Sequence, residues 1–104
     1  MWLDPKEMSE WAYNYCMNIK DKPVIRKMIT DSGWAYFYCE DKKDRPEVRK
    51  YIIKSQWAYT YCKRIKDDPE VRKNITESTW AYWYCRDVKN RPEVSKYIKE
   101  DACG

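Results

Sequence analysis

The stretch WAYWYCRDVKNRPEVSKYI, residues 80–98, crowds aromatic rings and a cysteine into its first six positions, turns abruptly charged, and then reaches a proline. It is one of four. The opening block stands as WAYNYC from Trp11, WAYFYC from Trp34, WAYTYC from Trp57 and WAYWYC from Trp80, always 23 residues apart. A second block follows each at a constant distance, reading DKPVIRKMI, DRPEVRKYI, DDPEVRKNI and NRPEVSKYI. Self-similarity at a fixed period of this size is the signature of a repeat architecture.

Each repeat reads as two short helices. Ser9, Ser32, Ser55 and Ser78 stand two residues before the tryptophans, where a hydroxyl caps the free N–H groups of a helix start. From there to about Lys20, Lys43, Lys66 and Lys89 nothing breaks a helix. Placed at 100° intervals, Ala12, Tyr15, Cys16 and Ile19 share one arc, with Trp11 at its edge. Pro23, Pro46, Pro69 and Pro92 fit only the first turn of a second helix. Asp44, Asp67 and Asn90 are each followed three residues later by a glutamate (Glu47, Glu70, Glu93), the pattern of a capping box. The pairs Val48/Ile52, Val71/Ile75 and Val94/Ile98 give this helix a buried stripe.

Neither helix buries its apolar face alone, so the repeats must stack. The expected fold is all-α, a short α-solenoid (α/α superhelix) of four 23-residue helix-pair repeats with end caps, in a single domain spanning residues 1–104. An N-terminal cap (1–10) precedes repeats at 11–33, 34–56, 57–79 and 80–100, and a tail (101–104) follows. Trp2 and Leu3 are expected to cover the first repeat, and Asp101 stands where a fifth serine would fall.

The bulk numbers narrow the class. With 43% apolar and 37% charged residues, the chain is neither disordered nor built to cross a membrane. Its opening residues do not read as a signal peptide, and five cysteines, an odd number, suit free thiols in a reducing, cytoplasmic setting. A net charge of +4 permits an anionic partner without demanding one. There is no histidine, which removes the commonest general base and every histidine-containing zinc site.

The repeat resembles a tandem repeat of uncharacterised bacteriophage and bacterial proteins, in which a WAYxYA block leads to an RxPE turn and an isoleucine. Residues 80–98 match best, and the resemblance extends over residues 11–98. This chain departs from it by placing cysteine where alanine is usual, and by a tighter turn before the proline. The resemblance implies a helical-repeat fold and a phage or bacterial-host setting, and it assigns no activity.

Four recurring features are candidates for function. The cysteine ladder (Cys16, Cys39, Cys62, Cys85) lacks any CxxC pair. Equivalent positions on stacked helices lie about 8–10 Å apart, beyond the roughly 7 Å that a disulfide spans. These thiols are therefore read as small core fillers, with no cofactor or metal. The tryptophans and second tyrosines read as interlocking core, whereas Tyr13, Tyr36, Tyr59 and Tyr82 project off the arc and could line a groove. The fourth letter of each block varies (Asn14, Phe37, Thr60, Trp83), and the rings of Phe37 and Trp83 suit partner anchors. Arg26, Arg49 and Arg72 run beside Lys27, Lys50, Lys73 and Lys96, either as a solvated face or as a basic stripe.

The expectation is a non-catalytic interaction module that engages a protein through one solenoid face. Phe37, Trp83, Tyr36, Tyr59, Tyr82, Arg49, Arg72, Lys50 and Lys73 are its candidate binding residues. The alternative is a binder, or sponge, for a nucleotide or single-stranded nucleic acid, using the Arg/Lys rows and aromatic stacking. With two glycines there is no phosphate loop, and the absence of a unique polar cluster argues against an enzyme.

Overall fold

Proline, serine and aspartate punctuate the chain, and the helices follow the punctuation. In the computed structural model, which describes residues 3–99, the order is α1 (Pro5–Asn18), α2 (Pro23–Arg26), α3 (Ser32–Asp41), α4 (Pro46–Arg49), α5 (Ser55–Arg64), α6 (Pro69–Arg72), α7 (Ser78–Asp87) and α8 (Pro92–Ser95). No strand occurs among the described residues. Trp2, Asp101 and Cys103 lie outside them.

Each proline takes the first position of its short helix as expected, because a missing N–H costs nothing there. These second helices are only one turn long, and tighter backbone bonds such as Met28 N–H to Ile25 C=O continue them. The longer helices stop sooner than the sequence suggested, at Asn18, Asp41, Arg64 and Asp87. Ile19 thereby becomes the C-cap of α1 and is 70% exposed instead of joining the core arc, which presupposed a continuing helix.

The chain falls into two compact units, Met1–Ile52 and Ile53–Gly104, each holding two repeats. In the first, α1 packs on α2 and α3, and α3 on α4; in the second, α5 packs on α6 and α7, and α7 on α8. The core of both is one small set of repeat positions. Ala12, Ala35, Ala58 and Ala81 are fully buried, so the helices approach closely. Tyr38, Tyr61, Tyr84, Ile29, Ile52, Ile75, Val48, Val71 and Val94 fill the space around them. Burying one such Val or Ile side chain stabilises the fold by about 1.5–3 kcal/mol.

The serines do a different job from the one expected. Asp31, not Ser32, caps α3 by accepting from the Trp34 N–H at 3.1 Å, and Asp4 caps α1 by accepting from Glu7 at 2.7 Å. The Ser9 hydroxyl instead accepts from the Thr30 and Asp31 N–H groups, both at 3.0 Å, and reaches the Met28 carbonyl at 3.4 Å. Ser55 repeats this on Thr76, Glu77 and Asn74. A buried hydroxyl that serves three backbone groups of the next linker fastens one repeat to its neighbour.

Candidate functional site

The repeating polar residues are mostly structural ties. Asp44, Asp67 and Asn90 are expected helix caps by their spacing, yet the residue after each takes the N-cap position instead. Asp67 accepts from the Tyr84 hydroxyl (2.8 Å), Arg72 Nε (3.0 Å) and Arg91 Nη2 (2.9 Å). Asp21 likewise takes Tyr38 (2.7 Å) and Arg26 Nε (3.1 Å), with Arg45 Nη2 at 3.6 Å. Burial alone would raise these carboxyls, but hydrogen bonds from tyrosine and arginine outweigh it and hold both below the ordinary aspartate range. The same contacts act in reverse on the phenols. Burial, reinforced by the neighbouring carboxylate, pushes Tyr38 and Tyr84 up to about 12.

A second tie joins successive repeats inside each unit. The Tyr13 hydroxyl donates to Asp41 at 2.6 Å while its ring lies 5.1 Å from that of Trp34. Tyr59 does the same with Asp87 (2.6 Å) and Trp80 (5.6 Å). Tyr36 is buried, Tyr13 is half-buried, and Tyr82 is 36% exposed. Of the four tyrosines expected to line a groove, Tyr13 and Tyr59 therefore serve as latches, and Tyr82 offers its ring to solvent.

The arginine row is embedded rather than solvated. Arg26 and Arg72 are buried, and Arg49 is half-buried with its Nε 3.0 Å from Asp44. The lysines remain outside. Lys50 lies over the Tyr51 ring at 5.2 Å, and Lys73 pairs with Glu70 at 2.8 Å. Phe37 and Trp83 are half-buried. Phe37 rests against Trp34 and Tyr36, with ring centres 5.8 and 5.4 Å away. Trp83 packs beside Tyr82 and carries the Arg86 guanidinium 3.9 Å above its ring.

Cys16, Cys39 and Cys62 are buried and Cys85 is half-buried, all as free thiols. Burial pushes Cys39 and Cys62 up to about 12, far from thiolate chemistry at neutral pH. Among the described residues no three metal-ligating side chains gather, and no helix is long and apolar enough to cross a membrane.

Two surface recesses share one lining pattern, one in each unit. The first, about 320 Å³, is lined by Pro23, Arg26, Lys27, Glu47, Lys50 and Tyr51. The second, about 210 Å³, is lined by Pro69, Arg72, Lys73, Glu93, Lys96 and Tyr97, the same six residue types two repeats later. Sequence reading missed Arg86, Tyr51 and Tyr97. The signal lay in positions that alternate between repeats, such as Met28, Tyr51, Asn74 and Tyr97. Comparison with protein-family models, with curated proteins and with solved structures gives no match for this chain.

Proposed function

We propose that the chain is a non-catalytic interaction module that engages a protein partner, with the Tyr82–Trp83–Arg86 cluster of α7 at the centre of its contact surface. One observation carries this reading: a guanidinium stacked 3.9 Å over a half-buried tryptophan, beside an exposed tyrosine. Tyrosine, tryptophan and arginine are the residue types that dominate binding energy at protein interfaces. Here they are also held in place. Arg86 Nε pairs with Asp87 at 2.8 Å, and the Tyr59 latch fixes Asp87 in turn, so little order is left to impose on binding. Phe37 offers a ring at the equivalent position of α3. A phage or bacterial-host setting rests on the resemblance of residues 11–98 to the WAYxYA repeats.

The test is capture of partners from a bacterial lysate by the intact chain and by the Phe37→Ala/Trp83→Ala variant. An anchor ring is worth about 2 kcal/mol or more in an interface, close to thirtyfold in affinity. Truncating two half-buried rings should cost each unit about 1 kcal/mol of stability or less. A variant that captures its partner as the parent does would remove the reading. So would a collapse in melting temperature, which would place both rings in the core. The nucleotide alternative is favoured by a different observation, the duplicated basic recess.

A further inference from the structure

We infer that the two recesses are a matched pair of binding sites for a nucleoside monophosphate, one in each unit. The phosphate would lie between two lysines over an arginine, and the ring against a tyrosine. This stands apart from the protein-partner reading and uses none of the Tyr82–Trp83–Arg86 cluster, although it takes up Lys50, Arg72 and Lys73 from the candidate binding residues.

Charge is the first support. Three cations face one carboxylate in each recess. The arginines form the buried floor, with side chains only 7% and 10% exposed, and an aspartate holds each from behind (Arg26–Asp21 3.1 Å, Arg72–Asp67 3.0 Å). Arg26 Nη1 donates to Glu47 at 3.4 Å, a bond that a phosphate would have to displace, whereas Arg72 Nη1 stands 4.0 Å from Glu93. Arg72 therefore keeps an N–H edge that makes no hydrogen bond to Glu93. A fixed arginine with lysines at the rim is suited to a phosphate, the arginine as a planar donor and the lysines as point charges. Lys73 also pairs with Glu70, a contact that an incoming phosphate would have to displace.

Shape and aromaticity are the second support. The first recess lies at the small end of the range for ligand pockets and the second falls below it, so both could seat only part of a small ligand, with the rest left at the rim. Each recess carries one tyrosine ring, already facing a lysine ammonium at 5.2 Å (Lys50 over Tyr51, Lys96 over Tyr97). A base stacked on that ring would add aromatic contact beside the cation. Glu47 and Glu93 are half-exposed acceptors on the lining, placed to receive ribose hydroxyls.

The third support lies in the sequence. Pro, Arg and Lys recur in the first three repeats, but tyrosine at the last recess position occurs only at Tyr51 and Tyr97, in the second and fourth repeats, with Met28 and Asn74 in the first and third. The ring thus appears once per unit, in the repeat that completes a recess. Core packing does not require it there, since methionine and asparagine serve at the same position elsewhere.

Isothermal titration of the intact chain with adenosine monophosphate, alongside amide chemical-shift mapping, tests the inference. The expected result is two ligands per chain, with shifts clustered at Lys27, Lys50 and Tyr51 and at Lys73, Lys96 and Tyr97. Tyr51→Ala or Tyr97→Ala should each weaken one of the two sites about tenfold or more, the loss of one stacked ring. Tyr51→Phe should retain binding, and circular dichroism should show every variant folded. Adenosine or inorganic phosphate alone should bind at least tenfold more weakly. Inorganic phosphate binding as tightly as the nucleotide would overturn the inference, as would indifference to the tyrosines or no saturable binding at millimolar ligand. Phe37→Ala/Trp83→Ala should leave this titration unchanged, so the protein-partner reading and this one fail separately.

Discussion

Replacing Asp67 by alanine removes the acceptor on which the second unit turns, and its cost can be worked contact by contact. Tyr84 is fully buried and would lose the acceptor of its hydroxyl, worth about 1 kcal/mol or slightly more. Arg72 would lose its charged partner while its side chain stays only 10% exposed, although Nη2 still reaches the Asp67 backbone carbonyl at 3.1 Å. Removing one partner of a fully buried pair costs about 3–5 kcal/mol. Asp67 is 22% exposed and water can enter, so about 2 kcal/mol is the better figure here. Arg91, 27% exposed, can turn to solvent at almost no cost. The sum is about 3 kcal/mol, a large share of the 5–15 kcal/mol that holds a typical domain. Urea unfolding followed by tryptophan fluorescence should show the midpoint falling by about 2 M, given a slope near 1.5 kcal/mol/M. Asp67→Asn, which keeps an acceptor but not the charge, should fall between variant and parent. A loss below about 1 kcal/mol for alanine would refute the hub, because the arginine and tyrosine would then be satisfied without it.

The latch makes a paired prediction. Tyr59→Phe should cost about 1.5 kcal/mol by removing a hydrogen bond to a charged acceptor, while Tyr82→Phe, at the same repeat position but exposed, should stay within about 0.5 kcal/mol by the same unfolding assay. Spectrophotometric titration near 295 nm should find at least four tyrosines, Tyr13, Tyr38, Tyr59 and Tyr84, ionising close to pH 12. Their raised values mean that stability is intact below pH 10 and is lost as pH rises from 10 through 12. The aspartates act oppositely. Asp21 and Asp67 titrate below their unfolded value of 3.8, so their contribution is present above that pH and lost as pH falls through the folded values, seen as acid unfolding by circular dichroism. Alkylation followed by mass spectrometry should modify Cys85 well before Cys16, Cys39 and Cys62, which react only on unfolding.

The all-helical repeat was legible because proline and apolar spacing act locally. Pro46 can only begin a helix, and Val48 with Ile52 can only face one way from it. The polar assignments failed where a side chain had two possible partners. Asp67 sits at the right spacing for a cap, but residue 68 supplies the cap, and a tyrosine from the next repeat reaches Asp67 instead. Ser9 sits near a helix start, yet its hydroxyl serves a linker some twenty residues later. Nothing local separates these outcomes, since the competing partner is brought in only by stacking. The helix lengths show the same limit. Pro23 marks where the next helix begins, but nothing in the sequence marks Asn18, where α1 ends ahead of the linker that carries Asp21.

A single 23-residue period describes the apolar core, but the charges obey a longer one. The latch acceptor reads Asn18, Asp41, Arg64, Asp87, and the arginine that joins each hub reads Lys22, Arg45, Asp68, Arg91. Aspartate and arginine thus fall together in the second and fourth repeats, which complete the two units. Hydrophobic burial is indifferent to which repeat meets which, because every repeat carries the same alanine, tyrosine and isoleucine. A buried tyrosine hydroxyl is not indifferent: left unpaired, it costs most of the gain from burying its ring. The acceptor position for the core tyrosines holds aspartate in each of the first three repeats (Asp21, Asp44, Asp67), so it is the latch acids, Asp41 and Asp87, that mark the repeat completing each unit. The recess tyrosines follow the same alternation, which ties the candidate ligand sites to the units and not to the single repeat.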